Sequence, residues 1–132
     1  MLNDAMLDFV RKNRTGAMIT VRKDGSSHVA RCTVGVVDGK LVSSGTQTRV
    51  RTKHVRQNPK ATLFIFGQGG DWLGVEANVT LHEGEEGLQK DLALKTTLDG
   101  VPDDAETYLK TRREQQRLIY EFEPVRVYGS YE

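Results

Sequence analysis

Two Asp-Gly pairs near the start of the chain restrict its fold more than any other feature. Asp24-Gly25 follows the apolar run Ala17–Val21, and Asp38-Gly39 ends a second strand-like run over residues 27–37. Asp-Gly between such runs predicts a tight hairpin, because the turn needs positive φ angles that glycine adopts without strain. Two successive hairpins predict an antiparallel meander, which excludes a doubly wound parallel sheet.

The rest of the chain adds strands and a few helices to this meander. Further strands are predicted at Lys40–Ser44, Ala61–Phe66, Trp72–Leu81, Leu118–Glu123 and Val125–Tyr131, the last two separated by Pro124. Helices are predicted near residues 3–13, 84–97 and 104–116, with a short basic helix after the strand that ends at Ser44. Six or seven strands with helices between them predict a mainly β fold in one domain over residues 1–132: a small antiparallel barrel with helices outside it.

The stretch Ser43–Pro59 is the main candidate for a binding site. It begins with small hydroxyl residues around Gly45 and continues into a short helical segment that carries Arg49, Arg51, Lys53 and Arg56, and no Asp or Glu occurs between Lys40 and Gly70. Backbone N–H groups at a helix start favour an anion, and arginine side chains add charge-assisted hydrogen bonds. The stretch therefore predicts a phosphate or carboxylate site, and the alternative is a solvated basic helix between two strands.

Composition excludes several classes of protein. The formal net charge is +1, which argues against nucleic-acid or membrane binding through bulk charge. The single cysteine, Cys32, rules out an internal disulfide or a cysteine-rich metal site and fits a reducing cytoplasm. The N-terminus has polar residues every few positions, so it predicts neither a signal peptide nor a membrane span. No metal site is predicted, because no second ligand has metal spacing from His28.

The order of these pieces resembles the pyridoxamine-phosphate-oxidase-like split β-barrel family over about residues 5–131. Within that family, the chain is most similar to the flavin and deazaflavin oxidoreductases. Four segments carry the resemblance: Met18–Val29 with its Asp-Gly and His-Val, Ser43–Pro59 with its basic helix, Asp71–Leu81, and the C-terminal strand pair Arg117–Gly129. Arg31 departs from the family pattern, and its charge would suit a longer acidic tail on the cofactor or would block the pocket.

The resemblance implies an FMN-binding-like split barrel that forms a homodimer with the cofactor at the interface. The residues carried over for phosphate binding are Ser44, Thr46, Arg49, Arg51 and Lys53. Trp72 is a further candidate, for stacking near the ring or the substrate, although packing in the core or interface is its ordinary role. Four basic residues in one segment suit the deazaflavin coenzyme F420, which carries a phosphate and glutamates, better than FMN, the alternative with one phosphate.

The predicted function is hydride transfer between coenzyme F420 and a small unsaturated or planar organic substrate. One alternative is an FMN-dependent enzyme of the pyridoxamine-phosphate-oxidase type, and another is a cofactor carrier without catalytic activity. No motif of nucleophilic or metal-dependent catalysis occurs, and the sequence identifies no general acid. Cys32 is interpreted as a small buried residue. The charged run Lys110–Arg117 is interpreted as a solvated helix face or, alternatively, as a guard at the substrate entrance.

Overall fold

The structure is a computed structural model that describes residues 3–132. Over this range the chain forms four helices and seven strands. The helices are α1 (Asp4–Lys12), α2 (Val50–Gln57), α3 (Gly84–Asp99) and α4 (Ala105–Glu114). The strands are β1 (Thr15–Val21), β2 (Ser27–Thr33), β3 (Gly35–Val37), β4 (Lys40–Thr46), β5 (Lys60–Phe66), β6 (Trp72–His82) and β7 (Arg117–Ser130).

All seven strands belong to one antiparallel sheet with the order β2-β1-β5-β6-β7-β4-β3. This confirms the predicted mainly β, antiparallel split-barrel fold. The first hairpin turns at Gly25, which has a φ of 87°, and the second turns at Asp38 and Gly39, which have φ angles of 52° and 73°. Positive φ at two successive residues matches the twist of the flanking strands, which explains why Asp-Gly was informative.

A single residue joins the two edges of this sheet. Strands β2 and β3 lie at opposite ends of the strand order, yet only Val34 separates them along the chain. The sheet must therefore curl until its edges approach each other, which makes it a split barrel. The run predicted as one strand over residues 27–37 is thus two strands, because the chain crosses from one edge to the other at the buried Val34. We call this line of approach, where β2 faces the end of β4, the seam.

Helix α1 covers one end of the barrel, as its apolar pattern predicts. Met6, Phe9 and Val10 are buried in the core. Asn3 caps the helix, and its Oδ1 accepts a hydrogen bond of 2.8 Å from the backbone N–H of Met6. The local sequence therefore determines both the start and the buried face of this helix.

The final strand differs from its prediction. Instead of two strands separated at Pro124, β7 runs without interruption from Arg117 to Ser130. The register with β6 shifts between Glu76 and Ala77: Ala77 pairs with Pro124 and Glu76 with Arg126, which leaves Val125 as an extra residue. Proline cannot donate a ladder hydrogen bond, and a β-bulge accommodates it without ending the strand.

Helices α3 and α4 lie on the outside, beside the seam. Helix α3 packs Leu88 and Leu94 into the protein, whereas α4 buries no residue. Instead, α4 is joined to α3 by ion pairs from Arg112 to Asp91 and from Arg113 to Glu85. Polar contacts therefore hold α4 in place more than apolar packing does. Among residues 3–132, no helix is long and apolar enough to cross a membrane.

Candidate functional site: a cationic cleft at the seam

A cleft of about 580 Å³ opens at the seam, between the sheet, the start of α2 and the helices α3 and α4. Its volume falls within the range of small-molecule sites, roughly 300–1,000 Å³. Two acidic residues, Asp91 and Asp99, contribute to its walls. Six basic residues contribute as well: Arg31, Arg49, Arg51, Lys95, Arg112 and Arg117. We call this site the seam cleft, and its lining predicts a preference for anions.

Arg51 is the most deeply buried of these cations, with 6% of the residue exposed. Its Nη1 donates to the backbone carbonyl of Arg31 on β2 (3.1 Å), and its Nη2 donates to that of Ser44 on β4 (3.3 Å). The guanidinium thus bridges the two sides of the seam, where the strands do not pair with each other. A guanidinium has five N–H donors, so these bonds leave donors for a ligand in the cleft.

Tyr120 supports Arg51 from inside the barrel. The phenolic oxygen accepts a hydrogen bond of 3.3 Å from Arg51 Nε and also contacts the Thr52 hydroxyl. The guanidinium carbon lies 5.4 Å from the centre of the Tyr120 ring. Tyr120 is fully buried, and Gly45 leaves the space for it: a Cβ at Gly45 would lie 2.3 Å from the phenolic oxygen. Gly45 therefore permits the position of Tyr120, which in turn orients Arg51.

Replacing Gly45 with Ala is expected to lower the free energy of unfolding by about 1–3 kcal/mol, because the new methyl group overlaps the buried Tyr120 ring. Gly70→Ala is the matched control, since a Cβ there meets no atom within 4 Å, and a change below about 0.5 kcal/mol is expected. Urea unfolding followed by circular dichroism measures both variants. Equal stability of the two variants would contradict the proposed role of Gly45.

Arg112 reaches the seam cleft from α4 and is held by Asp91 on α3. The carboxylate of Asp91 accepts from Arg112 Nε (2.5 Å) and from Nη2 (3.0 Å), and the same Nη2 lies 3.0 Å from the Ser44 hydroxyl oxygen. Asp91 is only 1% exposed, so this bidentate ion pair is largely shielded from water. Guanidinium groups from α2 and α4 therefore both bind Ser44, Arg51 at its carbonyl and Arg112 at its hydroxyl.

The remaining basic residues of the cleft lack acidic partners. Among residues 3–132, no carboxylate lies within 4.0 Å of the charged nitrogens of Arg31, Arg49, Arg51, Lys95 or Arg117. Burial lowers the pKa of Arg117, and the nearby positive charges of Arg112 and Arg49 lower it further. Like charges held this close repel one another, and a bound anion would relieve that repulsion.

Helix α2 begins with basic residues facing the cleft. Arg49 is the N-cap, Arg51 lies in the first turn, and this turn contains no acidic residue. Positive side chains are normally disfavoured at the positive end of a helix dipole. An anion bound at this end would interact favourably with both the helix dipole and the arginines. The start of α2 therefore has the chemistry expected of a phosphate site.

The structure brings together three of the six predicted site residues. Ser44, Arg49 and Arg51 line the seam cleft, whereas the other three do not. The Thr46 carbonyl accepts a hydrogen bond of 2.7 Å from the Thr52 hydroxyl, which fixes the start of α2. Lys53 lies on the exposed side of α2. Trp72 lies on the outer face of the sheet, where its ring stacks on that of Phe64 with 5.5 Å between centres.

Sequence reasoning missed the contribution of α3, α4 and the start of β7 to the cleft. Lys95, Arg112 and Arg117 line it, and Asp91 orients one of them. The only sequence signal was the charged run Lys110–Arg117, in which two cleft residues, Arg112 and Arg117, flank exposed ones such as Arg113. Nothing in the run separates the two kinds, because their difference depends on where α4 packs. Arg31, noted as a departure from the family pattern, also lines the cleft.

Cys32 lines the cleft but is buried. Burial raises the pKa of its thiol from an ordinary 9.0 to about 11, although the charges of Arg51 and Arg31 act in the opposite direction. The thiolate, which is the reactive form, is therefore scarce near neutral pH. This agrees with the interpretation of Cys32 as a small buried residue.

We expect the Cys32 thiol of the folded protein to resist iodoacetamide at about pH 8 and to react at once in denaturant. Burial raises the pKa of the Cys32 thiol from 9.0, its value in the unfolded chain, to about 11 in the folded protein. The contribution of the protonated thiol to stability is therefore complete below pH 9 and is lost as pH rises to about 11. Cys32→Ala should therefore flatten the fall in unfolding free energy over that interval. Mass spectrometry of alkylation and unfolding curves at several pH values measure both effects, and rapid alkylation of the native protein would contradict the prediction.

The outer face of the sheet exposes aromatic side chains. Phe66 is 53% exposed, Trp72 37% and Tyr128 36%, and their rings form a chain of contacts through Phe64. Val29 on β2 is also exposed, and its strand neighbour Ile19 points to the same side of the sheet. We call Val29, Phe64, Phe66, Trp72 and Tyr128 the outer aromatic face. Exposed apolar patches of this kind mark interaction sites.

The chain is similar to known proteins in both sequence and fold. The sequence profile of a family described as pyridoxamine 5'-phosphate oxidase matches residues 2–131. No curated protein sequence matches the chain significantly. Among solved structures, the conserved hypothetical protein Rv2991 from Mycobacterium tuberculosis is similar with a TM-score of 0.81 and 19% identity, over 99% of this chain and 86% of that one.

Two further solved structures share the fold. A protein named F420 reductase has a TM-score of 0.69 and 20% identity, over 92% of this chain and 94% of that one. General Stress Protein 26 from Bacillus anthracis has a TM-score of 0.72 and 17% identity, over 96% of this chain and 92% of that one. At these identities the structures establish a common fold, and the chemistry of this protein depends on the residues of its own cleft.

Proposed function

The chain belongs to the pyridoxamine 5'-phosphate oxidase family, and we propose that it is an oxidoreductase that binds coenzyme F420 through the seam cleft. The family includes flavin-dependent oxidoreductases. The observation that carries the proposal is the excess of basic over acidic residues in the cleft, together with a buried arginine at the start of α2. The proposed reaction is hydride transfer between the coenzyme and a small unsaturated or planar organic substrate.

The residues of the cleft fit the phosphate of such a cofactor. Arg51 is buried without a carboxylate partner in the part of the chain that the structure describes, and Arg49 and Arg31 carry further charge into the same space. Charge-assisted hydrogen bonds from arginine are the usual means of holding a phosphate. In this proposal, Arg49 and Arg51 bind the phosphate at the helix start, and Ser44 lies beside it. Lys53 acts at longer range, by its charge alone.

The charge of the cleft is the reason to favour a deazaflavin over FMN. FMN carries one phosphate, whereas coenzyme F420 carries a phosphate and a chain of glutamates. Six basic residues against two acidic ones exceed what one phosphate requires. FMN remains the second candidate, because the family binds flavins such as FMN.

The bound cofactor would supply hydride transfer as its own chemistry, and the protein would supply binding, orientation and electrostatics. The bridge from Arg51 to the carbonyls of Arg31 and Ser44 fixes the guanidinium before a ligand arrives. Such preorganisation lowers the cost of ordering side chains on binding. Helices α3 and α4 line one side of the cleft.

We further propose a homodimer that buries the outer aromatic face, with the cofactor near the interface. Phe66, Trp72 and Tyr128 are large and exposed: Phe64 contacts the rings of Phe66 and Trp72, and Trp72 contacts that of Tyr128. Aromatic residues are enriched in the buried centres of protein interfaces. Trp72 then belongs to the proposed interface, because it lies on the outer face and does not line the seam cleft. A cytoplasmic location accords with the single cysteine.

Parallel titration of the purified protein with oxidised coenzyme F420 and with FMN, read by fluorescence at two salt concentrations, tests the proposed cofactor. We expect tighter binding of the deazaflavin and a stronger weakening of that binding by salt, because more charges are neutralised. A preference for FMN would favour the second candidate. Binding of neither ligand would contradict cofactor binding altogether, and binding without turnover of any substrate would favour a carrier.

A further inference from the structure

The side of the seam cleft formed by α3, α4 and the start of β7 carries its own set of cations. Lys95 on α3, Arg112 on α4 and Arg117 on β7 line this side, whereas Arg49 and Arg51 line the side formed by α2. The two sets belong to different parts of the chain and meet at Ser44, which contacts both Arg51 and Arg112. The cleft is thus cationic on two walls.

Within this second set, the side chains differ in what they contribute. Asp91 neutralises Arg112 and fixes its direction through two hydrogen bonds, so Arg112 offers oriented donors and little net charge. Arg117 and Lys95 have no acidic partner in the part of the chain that the structure describes, and they supply the net charge. Arg117 is only half-buried, and its Nε donates to the Gln115 amide oxygen at 2.9 Å.

We infer that Lys95, Arg112 and Arg117 form a second anion subsite, which binds carboxylates of the same ligand whose phosphate lies at the start of α2. Asp91 is a positioning residue for this subsite, because it acts through Arg112. The ligand class is a phosphorylated ring compound with an acidic, carboxylate-bearing tail. This inference rests on the proposed function and adds to it the location at which the tail is recognised.

Assembling these cations on one wall costs free energy. Three cations on one wall repel one another. Of the two carboxylates there, the buried Asp91 is paired with Arg112, and Asp99 is paired with Arg14, which does not line the cleft. A ligand with a single phosphate at α2 would leave Arg117 and Lys95 without a counter-charge. A ligand with additional carboxylates would neutralise both walls of the cleft, and the volume of about 580 Å³ allows more than a phosphate to enter.

Arg117→Gln is the main variant, because Arg117 takes part in no ion pair among residues 3–132 and its loss should leave the fold intact. Binding of coenzyme F420 with its glutamate tail, of the tail-less deazaflavin phosphate and of FMN is measured by fluorescence. We expect Arg117→Gln to weaken binding of the tail-bearing coenzyme about tenfold and binding of the other two ligands less than about twofold. Arg49→Gln should weaken the binding of all three ligands.

Arg113→Gln is the matched control, since Arg113 is the neighbour of Arg112 on α4, pairs with Glu85 and does not line the cleft. It should leave all three affinities unchanged. Asp91→Asn should lower the ratio of tail-bearing to tail-less affinity, which a purely structural role would not change. Equal losses for all ligands in Arg117→Gln, or no loss for any, would overturn the second subsite alone. Failure of the wild type to bind any of the ligands would overturn the proposed function and the subsite with it.

Discussion

Replacing Arg51 with Met is expected to weaken binding of the phosphorylated cofactor about 100-fold and to lower the free energy of unfolding by about 2 kcal/mol. The binding loss follows from removing charge-assisted hydrogen bonds, worth about 1.5–3 kcal/mol each. The loss of stability has a separate origin, since Arg51 bridges the carbonyls of Arg31 and Ser44 across the seam. Without it these acceptors are unpaired, although relief of a buried charge offsets part of the cost.

Three comparison variants separate the two roles of this residue. Arg49→Gln removes a cleft cation that makes no bond across the seam, so binding should fall while stability stays within about 0.5 kcal/mol. Arg51→Lys keeps the charge but loses the planar fork, so stability should fall even where some binding remains. Lys53→Ala, on the exposed side of α2, should weaken binding only slightly. Titration fluorescence and urea unfolding measure both quantities. Unchanged binding in Arg51→Met would show that its role is confined to the seam.

Trp72→Glu is expected to convert the proposed homodimer into a monomer, with a dimer dissociation constant raised about 100-fold or more. The new carboxylate would be buried without a partner at the centre of the outer aromatic face, which costs several kcal/mol. Sedimentation equilibrium over a range of protein concentrations measures the change. If the cofactor lies at the interface, its affinity should fall together with dimerisation.

Two further substitutions control for effects on the monomer. Trp72 stacks on Phe64 within one subunit, so its replacement also alters local packing. Val29→Glu avoids this problem, because Val29 is 63% exposed on the same face, and it should also prevent dimerisation. Val101→Glu changes an exposed apolar residue in the loop between α3 and α4 and should leave the dimer intact. A wild-type protein that is monomeric at all concentrations would refute the proposed interface.

Local sequence signals determined much of the fold. The Asp-Gly turns fixed two hairpins, and apolar patterning located the core strands and the buried face of α1, because these features depend on residues close together in the chain. The two errors occurred where pairing over long distances decided the outcome. Residues 27–37 were predicted as one strand, but the sheet curls at Val34 and divides them into two. Pro124 was predicted to end a strand, but a bulge opposite Glu76 and Ala77 accommodates it within β7.

The candidate site shows the same division. The sequence by itself determined a basic, acid-free segment after a strand, and with it the cleft residues Ser44, Arg49 and Arg51. Only the tertiary structure decided that Arg51 bridges the seam, that Trp72 faces outwards, and that Arg112 and Arg117 join the cleft. The reason is that composition within one segment is local, whereas the wall opposite α2 comes from residues more than 30 positions beyond the end of α2. The direction of Arg112 is set by Asp91, whose role no spacing in the sequence reveals.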